Sequence, residues 1–416
     1  MPSREHYENE INVRRAPVLV LTLGLLLLAL LAGDLFMRFH WFRWHETIYI
    51  KPLFTADQPV TTVKPSFTSL ELAEGRGGDL SRLISVPSAR KRYEEYRPAE
   101  SISIDPHGFR NLPYPDGQEF QVVVVGDSYM AEGIPLTNQI AARLSEALGE
   151  PVLNRAFMGR GPFQSLMLWL EQHKSTTNHP NYLVWGFVER DISGSAFAGY
   201  VYLIERHLQM GEQKEIMARE ASRVFLWSRL QPAELRRSLP NSSAIAQLSR
   251  KAWAFAGYYL FGALPQDIFS FDAVAAFDGG PMLGYQSTLD SMYWSRADRD
   301  LDKVVWAITY IRDHLATMGI TLIVVPIPDK EQVYYSAIPR SLWKDDQPPQ
   351  VSILPELVQR LQDVQVPTVS LLPVYHEAAT NGVPLYWRDD THWRPEGIKL
   401  AAELIAGEVG RILEKK

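Results

Sequence analysis

Short apolar runs alternate with segments of helical spacing in two stretches of the chain. Residues 120–125 (FQVVVV) are apolar and largely β-branched, which is typical of a buried parallel strand. Apolar positions then recur every three or four residues over 137–149, which predicts a helix. Strand and helix alternate in this way when helices cover both faces of a parallel sheet. The same patterns predict strands at 152–153, 182–188, 320–325 and 368–371, and helices at 163–173, 302–318, 355–362 and 395–413.

These elements predict an α/β fold, a three-layer sandwich over residues 101–416. The alternation is lost at about 195–300, where helical stretches carry many aromatic side chains, among them Trp227 and Trp253. We therefore expect a mainly helical insertion at about 195–300 within this domain.

The N-terminal part contains one long apolar segment. Residues 16–33 carry no charged side chain, and residues 35–37 extend the apolar run around Asp34. A spanning helix needs about 20 apolar residues. Arginines precede the segment and aromatic residues follow it, as at the two surfaces of a membrane. We predict a cytoplasmic N-terminus at 1–15 and a transmembrane anchor at 16–37.

A cleaved signal peptide is the alternative interpretation of this segment, although a clean small-x-small cleavage site is missing. Under both interpretations the rest of the chain is exported. We expect a single-pass protein of the inner membrane with its main domain in the periplasm. Residues 38–100 contain several prolines and little helical pattern, which predicts a stalk or irregular lead-in.

Composition excludes several classes of function. The net charge is −6, and no basic stripe is present, so nucleic acid is not an expected partner. The chain has no cysteine, which excludes disulfides, a thiol nucleophile and a cysteine-ligated metal. Aromatic residues make up 11% of the chain, which suits carbohydrate stacking, a membrane interface or a large core.

A candidate nucleophile follows the first predicted core strand. Ser128 stands in the sequence Gly126-Asp127-Ser128, where the strand turns into the next helix. Ligands of parallel sheets bind outside the carboxyl ends of the strands. The backbone N–H of a serine at a helix start can also stabilise an oxyanion. The plainer interpretation is that Asp127 or Ser128 only caps the helix.

A candidate base lies just before the last predicted helix, which Pro395 begins. His392 follows two acids, Asp389 and Asp390. A serine nucleophile needs a base, and the base needs an acid that fixes its tautomer. Spacing alone leaves both acids open. Two alternatives are metal ligation by Asp389, Asp390 and His392, for which the chain offers no further histidine cluster, and a simple helix cap.

Taken together and in this order, the two motifs resemble the SGNH hydrolase superfamily. Residues 126–128 match its serine motif, and His392 with Asp389 or Asp390 matches its acid–base pair before the last helix. The resemblance covers about 105–200 and 300–410, and it implies a parallel SGNH-type sheet.

The resemblance also implies an oxyanion hole. Its donors would be the backbone of Ser128 and, in place of the glycine of the superfamily, Gly159 or Gly161. The superfamily adds an asparagine donor, which has no counterpart at 186–190. Either Arg190 or another group then takes this role, or the hole has two donors.

A narrower resemblance is to the alginate-type O-acetyltransferases, periplasmic partners of membrane-bound O-acyltransferases. The stretch 390–393 (DTHW) resembles their D-x-H-W signature, and 326–330, 185–191 and 108–110 resemble further segments. In those proteins the Asp-x-His segment often precedes the serine, whereas here it follows, as in ordinary SGNH hydrolases.

The narrower resemblance implies Asp390 as the acid beside His392 and Ser128. The implied function is transfer of an acetyl group, through an acyl-serine, onto an exported or cell-surface polysaccharide. The acyl donor would come from a membrane-bound O-acyltransferase, and neither a cofactor nor a metal is expected. The residues expected to bind substrate are Arg190, Tyr129 and Trp393.

Two other functions are compatible with these residues. An SGNH esterase would use the same serine, histidine and acid to remove acyl groups from a glycan or lipid, with water as the acceptor. A non-catalytic glycan-binding or assembly subunit would need none of the three, so the presence of Ser128, Asp390 and His392 together argues against it. Products made with and without a sugar acceptor distinguish these functions.

Overall fold

The structure is a computed structural model. It divides into two compact units, one of residues 1–59 with 213–263 and one of residues 60–212 with 264–416. The residues that it describes are 21–22, 24–33, 68–72, 78–84, 86–97, 100–132, 136–156, 162–173, 179–193, 196–199, 201, 252–253, 256–272, 281–293, 299–349 and 352–414.

The smaller unit contains part of the predicted anchor. Within 16–37, residues 24–33 are helical and their leucine side chains are exposed. The ends of the predicted anchor and the predicted cytoplasmic segment at 1–15 lie outside the described residues. Among the residues that are described, no helix is both long and apolar enough to cross a membrane. The anchor therefore stays a prediction.

The larger unit contains all eight described strands. They are β1 (Thr68–Leu72), β2 (Glu100–Ile104), β3 (Val122–Gly126), β4 (Val152–Asn154), β5 (Tyr182–Val188), β6 (Ile268–Phe271), β7 (Met282–Tyr285) and β8 (Thr321–Ile327). Its named helices are α1 (Pro87–Lys91), α2 (Ser128–Ala131), α3 (Ile140–Leu148), α4 (Pro162–His173), α5 (Gln286–Ser291), α6 (Leu301–Thr317), α7 (Lys330–Val333), α8 (Leu354–Asp363), α9 (Leu372–Thr380) and α10 (Pro395–Leu413).

A parallel four-stranded sheet forms the centre of this unit. Its strand order is β4-β3-β5-β8. Val124 pairs with Val184, and Val184 pairs with Ile323. At 368–371, where a strand was predicted, the structure has only an isolated parallel bridge between Thr368 and Val324 of β8. The segment pairs with this edge strand at a single position and so does not form a strand.

Side chains alternate between the two faces of this sheet, as the pleat requires. Val122 and Val124 join a core with α3, α9 and α10, whereas Val123 and Val125 join a second core with α4, α6 and α8. Burying one such side chain contributes about 1.5–3 kcal/mol. The two cores make three layers, and the predicted α/β sandwich is confirmed.

The described part of the predicted insertion contains more than helices. Strands β6 and β7 form an antiparallel pair, and Phe269, Phe271 and Met282 join the core with α3, α9 and α10. The prediction of a mainly helical insertion lacked this pair, whose strands are only four residues long. Residues 202–251, the middle of the predicted insertion, lie outside the described residues.

Parallel strands bring their carboxyl ends to one edge of the sheet. Strands β3, β5 and β8 are neighbours there. The residues that follow them are polar or charged: Asp127-Ser128 after β3, Glu189-Arg190 after β5, and Asp329-Lys330 after β8. This edge is therefore where ligands of such a sheet bind.

Candidate active site

The candidate nucleophile lies in a tightly packed turn. Asp127 caps α2, because its Oδ1 accepts a hydrogen bond of 2.8 Å from the Tyr129 N–H. The Gly126 N–H donates to Ser165 Oγ at 2.7 Å. These bonds fix both sides of the turn, so Ser128 begins α2 directly after the strand. Burial raises the pKa of the Asp127 carboxyl to about 6.

Gly126 is required at this turn by close packing. Its φ is +153°, and a Cβ placed there would lie 2.5 Å from the Gly186 carbonyl oxygen and 2.5 Å from Met130 Cγ. We expect Gly126→Ala to destabilise the protein by about 1–3 kcal/mol through overpacking, and to lower activity because α2 must shift. Chemical denaturation and kcat/KM measure the two effects. Gly407→Ala on α10 is the matched control, since no atom lies within 4 Å of its Cβ position; equal stability of the two variants would contradict the packing argument.

The candidate base lies on a short loop between Tyr386 and Trp393, which form an antiparallel bridge. His392 Nε2 lies 2.8 Å from Ser128 Oγ. Its Nδ1 lies 2.7 Å from Asp390 Oδ1, which also accepts from the His392 backbone N–H at 3.0 Å. With Nδ1–H donating to the carboxylate, Nε2 is free to accept from the serine hydroxyl. The structure thus brings together the three residues predicted as catalytic.

The environment of His392 is strongly acidic. Besides Asp390, Glu132 Oε2 lies 3.2 Å and Asp79 Oδ2 lies 3.9 Å from Nδ1. Burial disfavours a charged imidazole, but the carboxylates, Glu132 and Asp390 foremost, raise the pKa of His392 to about 10. Burial also favours a neutral Asp390, yet His392 and Arg97 hold the pKa of this carboxyl well below its usual range.

Asp389, the other candidate acid, has a structural role. Its Oδ2 accepts from the Gly78 N–H at 2.9 Å and from Ser81 Oγ at 3.2 Å. Arg97 Nη2 lies 3.0 Å from Asp389 Oδ1 and 3.4 Å from Asp390 Oδ2. Asp389 therefore holds the loop in place and does not contact the imidazole.

These partners of Asp389 belong to the predicted stalk or lead-in at 38–100. Residues 78–84 and 86–97 of that segment pack against the loop that carries the base. The guanidinium of Arg97 also stacks on Trp387, 4.5 Å from the ring centroid. Sequence reasoning missed this role, because the partners are separated by about three hundred residues and carry no shared motif.

Two further elements, α7 and β7, donate hydrogen bonds to the loop that carries His392. Lys330, at the start of α7, donates to the Asp390 carbonyl at 2.7 Å and to the Trp387 carbonyl at 3.3 Å. Burial lowers the pKa of this ammonium group. The Leu283 N–H of β7 donates to the Arg388 carbonyl at 2.8 Å. The loop is thus held by backbone carbonyls as well as by its two acids.

The residues predicted to bind substrate form a buried support. Tyr129 and Trp393 are 0% and 1% exposed. The Tyr129 hydroxyl donates to the Thr391 carbonyl at 2.7 Å, and its ring centroid lies 4.8 Å from that of His392. In this structure Tyr129 packs against the imidazole and Trp393 packs against Tyr129, so both rings are buried rather than open to a substrate.

Arg190 lies beside this support. Its Nη1 donates to the Tyr129 hydroxyl at 3.2 Å and pairs with the buried carboxylate of Asp329. Its backbone N–H also donates to Asp329 Oδ2 at 2.9 Å. The Arg190 side chain is 23% exposed, and substrate binding by Arg190 stays a prediction.

Only one of the predicted oxyanion donors can be placed. The Ser128 N–H lies in the first turn of α2, where amide groups have no partner within the helix. Gly159 and Gly161 lie outside the described residues. Their role in an oxyanion hole therefore stays a prediction.

Among the described residues, one group of acidic and histidine side chains has ligand atoms close enough to hold a metal ion. Ligand atoms of Asp79, Asp390 and His392 lie within 4.8 Å of one another. However, both ring nitrogens of His392 are engaged by Asp390 and Ser128. A cation would have to compete with these bonds. Asp389, which the metal interpretation of the sequence included, is bound to Arg97 instead.

Comparisons with known proteins were made against families and curated sequences. The family model described as "SGNH hydrolase-like domain, acetyltransferase AlgX" matches residues 61–189 and 289–415, more than half of the chain. The interval between the two ranges overlaps the predicted insertion. No curated protein sequence shows significant similarity to the chain. With this match, the chain belongs to the SGNH hydrolase-like family of the acetyltransferase AlgX.

Proposed function

We propose that this protein is a membrane-anchored periplasmic O-acetyltransferase that moves an acetyl group onto an exported or cell-surface polysaccharide. The observation that carries the proposal is the hydrogen-bonded series from Ser128 through His392 to Asp390, with distances of 2.8 and 2.7 Å. Membership in the family of an acetyltransferase supports transfer of an acetyl group. The predicted anchor at 16–37 supports the location.

In the first step, Ser128 Oγ attacks the carbonyl carbon of the acyl donor while His392 Nε2 takes its proton. Asp390 stabilises the imidazolium that forms. The backbone N–H of Ser128 donates to the developing oxyanion. The leaving group of the donor then departs with the proton from His392, which leaves an acetyl ester on Ser128.

In the second step, His392 acts as a base again. It takes the proton of a sugar hydroxyl, whose oxygen attacks the acetyl carbon on Ser128. The ester bond to the serine breaks, and Ser128 recovers its proton from His392. Transfer exceeds hydrolysis only when the bound acceptor excludes water.

The donor is proposed to come from a membrane-bound O-acyltransferase, which would pass acetyl groups across the bilayer. An anchor at 16–37 would keep the domain near such a partner. This part of the proposal rests on the resemblance to alginate-type proteins and on the apolar N-terminal segment.

The test is an acetyl-transfer assay on the full chain in nanodiscs. p-Nitrophenyl acetate is supplied with and without a panel of oligosaccharides, and nitrophenol and acetylated sugar are both measured. We expect wild type to make acetylated sugar and Ser128→Ala to make none. Ser145→Ala is the matched control. The Ser145 hydroxyl donates to the Glu150 carbonyl, just before β4 begins, whereas Ser128 lies at the carboxyl ends of the strands.

Each other result has a definite meaning. If Ser128-dependent nitrophenol release yields only free acetate with every acceptor, the protein is an esterase and the transferase proposal fails. If Ser128→Ala equals wild type in both products, Ser128 is not a nucleophile, and a binding or assembly role replaces catalysis.

A further inference from the structure

Glu132 places a second carboxylate at the ring nitrogen that Asp390 already binds. Its Oε2 lies 3.2 Å from His392 Nδ1, and Asp390 Oδ1 lies 2.7 Å from the same atom. Glu132 directly follows α2, and its N–H donates to the Ser128 carbonyl at 2.8 Å. The helix that begins with the nucleophile therefore ends beside the base.

One carboxylate is sufficient for a serine, histidine and acid arrangement. Nδ1 carries a single hydrogen, and the hydrogen bond goes to Asp390. Glu132 therefore acts on the imidazole through its charge. Two carboxylates at such a distance from one atom repel each other unless a cation lies between them. The imidazolium form of His392 supplies that cation.

We propose that Glu132 is a positioning residue that, together with Asp390, stabilises the imidazolium of His392 and sets the pH range in which His392 can act as a base. The inference rests on the proposed function and adds to it a residue that no motif predicted. The raised pKa of His392, to which Glu132 is the first contributor after burial, is consistent with it.

Other charged groups face His392 but are less suited to this role. Asp79 Oδ2 is 3.9 Å away, its side chain is 43% exposed, and water screens exposed charges. Its carboxylate also accepts from the Thr391 N–H and hydroxyl, at 2.8 and 2.6 Å. Asp127 is buried in the nucleophile turn and is engaged by the Tyr129 N–H.

Two cations near the site, Arg97 and Lys330, contact Asp390 rather than the imidazole. A third, Arg190, is paired with the buried carboxylate of Asp329. Arg97 lies 3.4 Å from Asp390 Oδ2. Lys330 donates to the Asp390 carbonyl. Arg97 and Lys330 therefore offset the negative charge of Asp390. After Asp390, Glu132 is the acidic side chain nearest to Nδ1 among the described residues.

The test is the pH dependence of Ser128-dependent nitrophenol release by the full chain, with Ser128→Ala subtracted as the blank. Only the neutral imidazole accepts the serine proton, so kcat/KM rises with pH through the pKa of His392. Removing a negative charge lowers that pKa. We expect Glu132→Gln to move the midpoint of the rising limb to lower pH by about one pH unit or more.

Glu150→Gln is the control, because it removes the same charge from an exposed residue beyond α3. It should leave the midpoint unchanged. A Glu132→Gln variant that is slower without a shifted midpoint, or that equals wild type, would overturn the inference and leave Glu132 a purely structural residue.

A second readout separates this inference from the proposed function. The ring of His392 is titrated by carbon NMR in the full chain, with His392→Asn to assign the signal. If wild type catalyses nothing but the pKa of His392 is lower in Glu132→Gln than in wild type, the role of Glu132 is supported while the acetyltransferase proposal fails. Catalysis with the same pKa in both proteins would sink the inference alone.

Discussion

Replacing His392 by glutamine is expected to lower kcat/KM for acetyl transfer by about 10⁴- to 10⁶-fold, as loss of the base does in serine enzymes generally. Glutamine fills the site but cannot take the proton of Ser128, whose Oγ lies 2.8 Å from Nε2. The loss should appear in kcat, because the base acts in the transition state and not in binding. Steady-state kinetics with a fixed acceptor measure it.

His314→Gln is the control for this substitution. His314 lies in the last turn of α6, just before β8 begins, and so near the amino ends of the strands rather than the carboxyl ends where Ser128 lies. Its replacement should leave kcat/KM within about twofold of wild type. A His392→Gln variant that keeps one tenth or more of wild-type activity would show that another group removes the proton.

Replacing Asp389 by alanine is expected to destabilise the protein by about 3 kcal/mol, since it removes the nearer of the two carboxylates that pair with the buried Arg97 guanidinium. Asp389 is 0% exposed, and Arg97 is held against it at 3.0 Å. The Gly78 N–H and the Ser81 hydroxyl lose their acceptor as well. Activity should fall with stability, because the same loop carries His392.

Chemical denaturation measures this effect, with Asp313→Ala as the control. Asp313 also pairs with an arginine, Arg312, but its side chain is 63% exposed, so its replacement should cost less than about 1 kcal/mol. If the two variants were equally stable, the buried pair would not hold the loop. Asp389→Asn should lie between wild type and Asp389→Ala, because its amide oxygen still accepts hydrogen bonds.

The core of the fold follows from local patterns. The strand at 182–188 and the helix at 395–413 were predicted with the bounds that the structure shows. Both are strongly patterned: the strand is apolar throughout because helices cover both of its faces, and Pro395 marks the first turn of the helix. The positions of Ser128 and His392 were predictable for a similar reason, since Ser128 begins α2 just after β3 and His392 lies three residues before α10.

The rest of the site depends on contacts between distant segments. Asp389 is held away from the imidazole by Gly78, Ser81 and Arg97, and the sequence places these partners in an unpatterned segment. Glu132 reaches His392 only because α2 is four residues long. Helix length at that precision is not encoded in apolar spacing.

Burial was the other quantity that the sequence could not supply. Tyr129 and Trp393 adjoin the two motifs, which suggested contact with a substrate. In the fold both are buried: Tyr129 packs against the imidazole, and Trp393 packs against Tyr129 with their ring centroids 5.8 Å apart. An aromatic residue beside a catalytic one supports it or binds its substrate, and only the direction of the side chain distinguishes the two.

Mass spectrometry of the peptide that contains Ser128, after rapid quenching with the acyl donor present and the acceptor absent, tests the central claim most directly. The account predicts an acetyl group on Ser128, which disappears when an oligosaccharide acceptor is added and never forms in His392→Gln. Acetylated sugar produced while Ser128 stays unmodified at every quench time, or produced equally by Ser128→Ala, would contradict it.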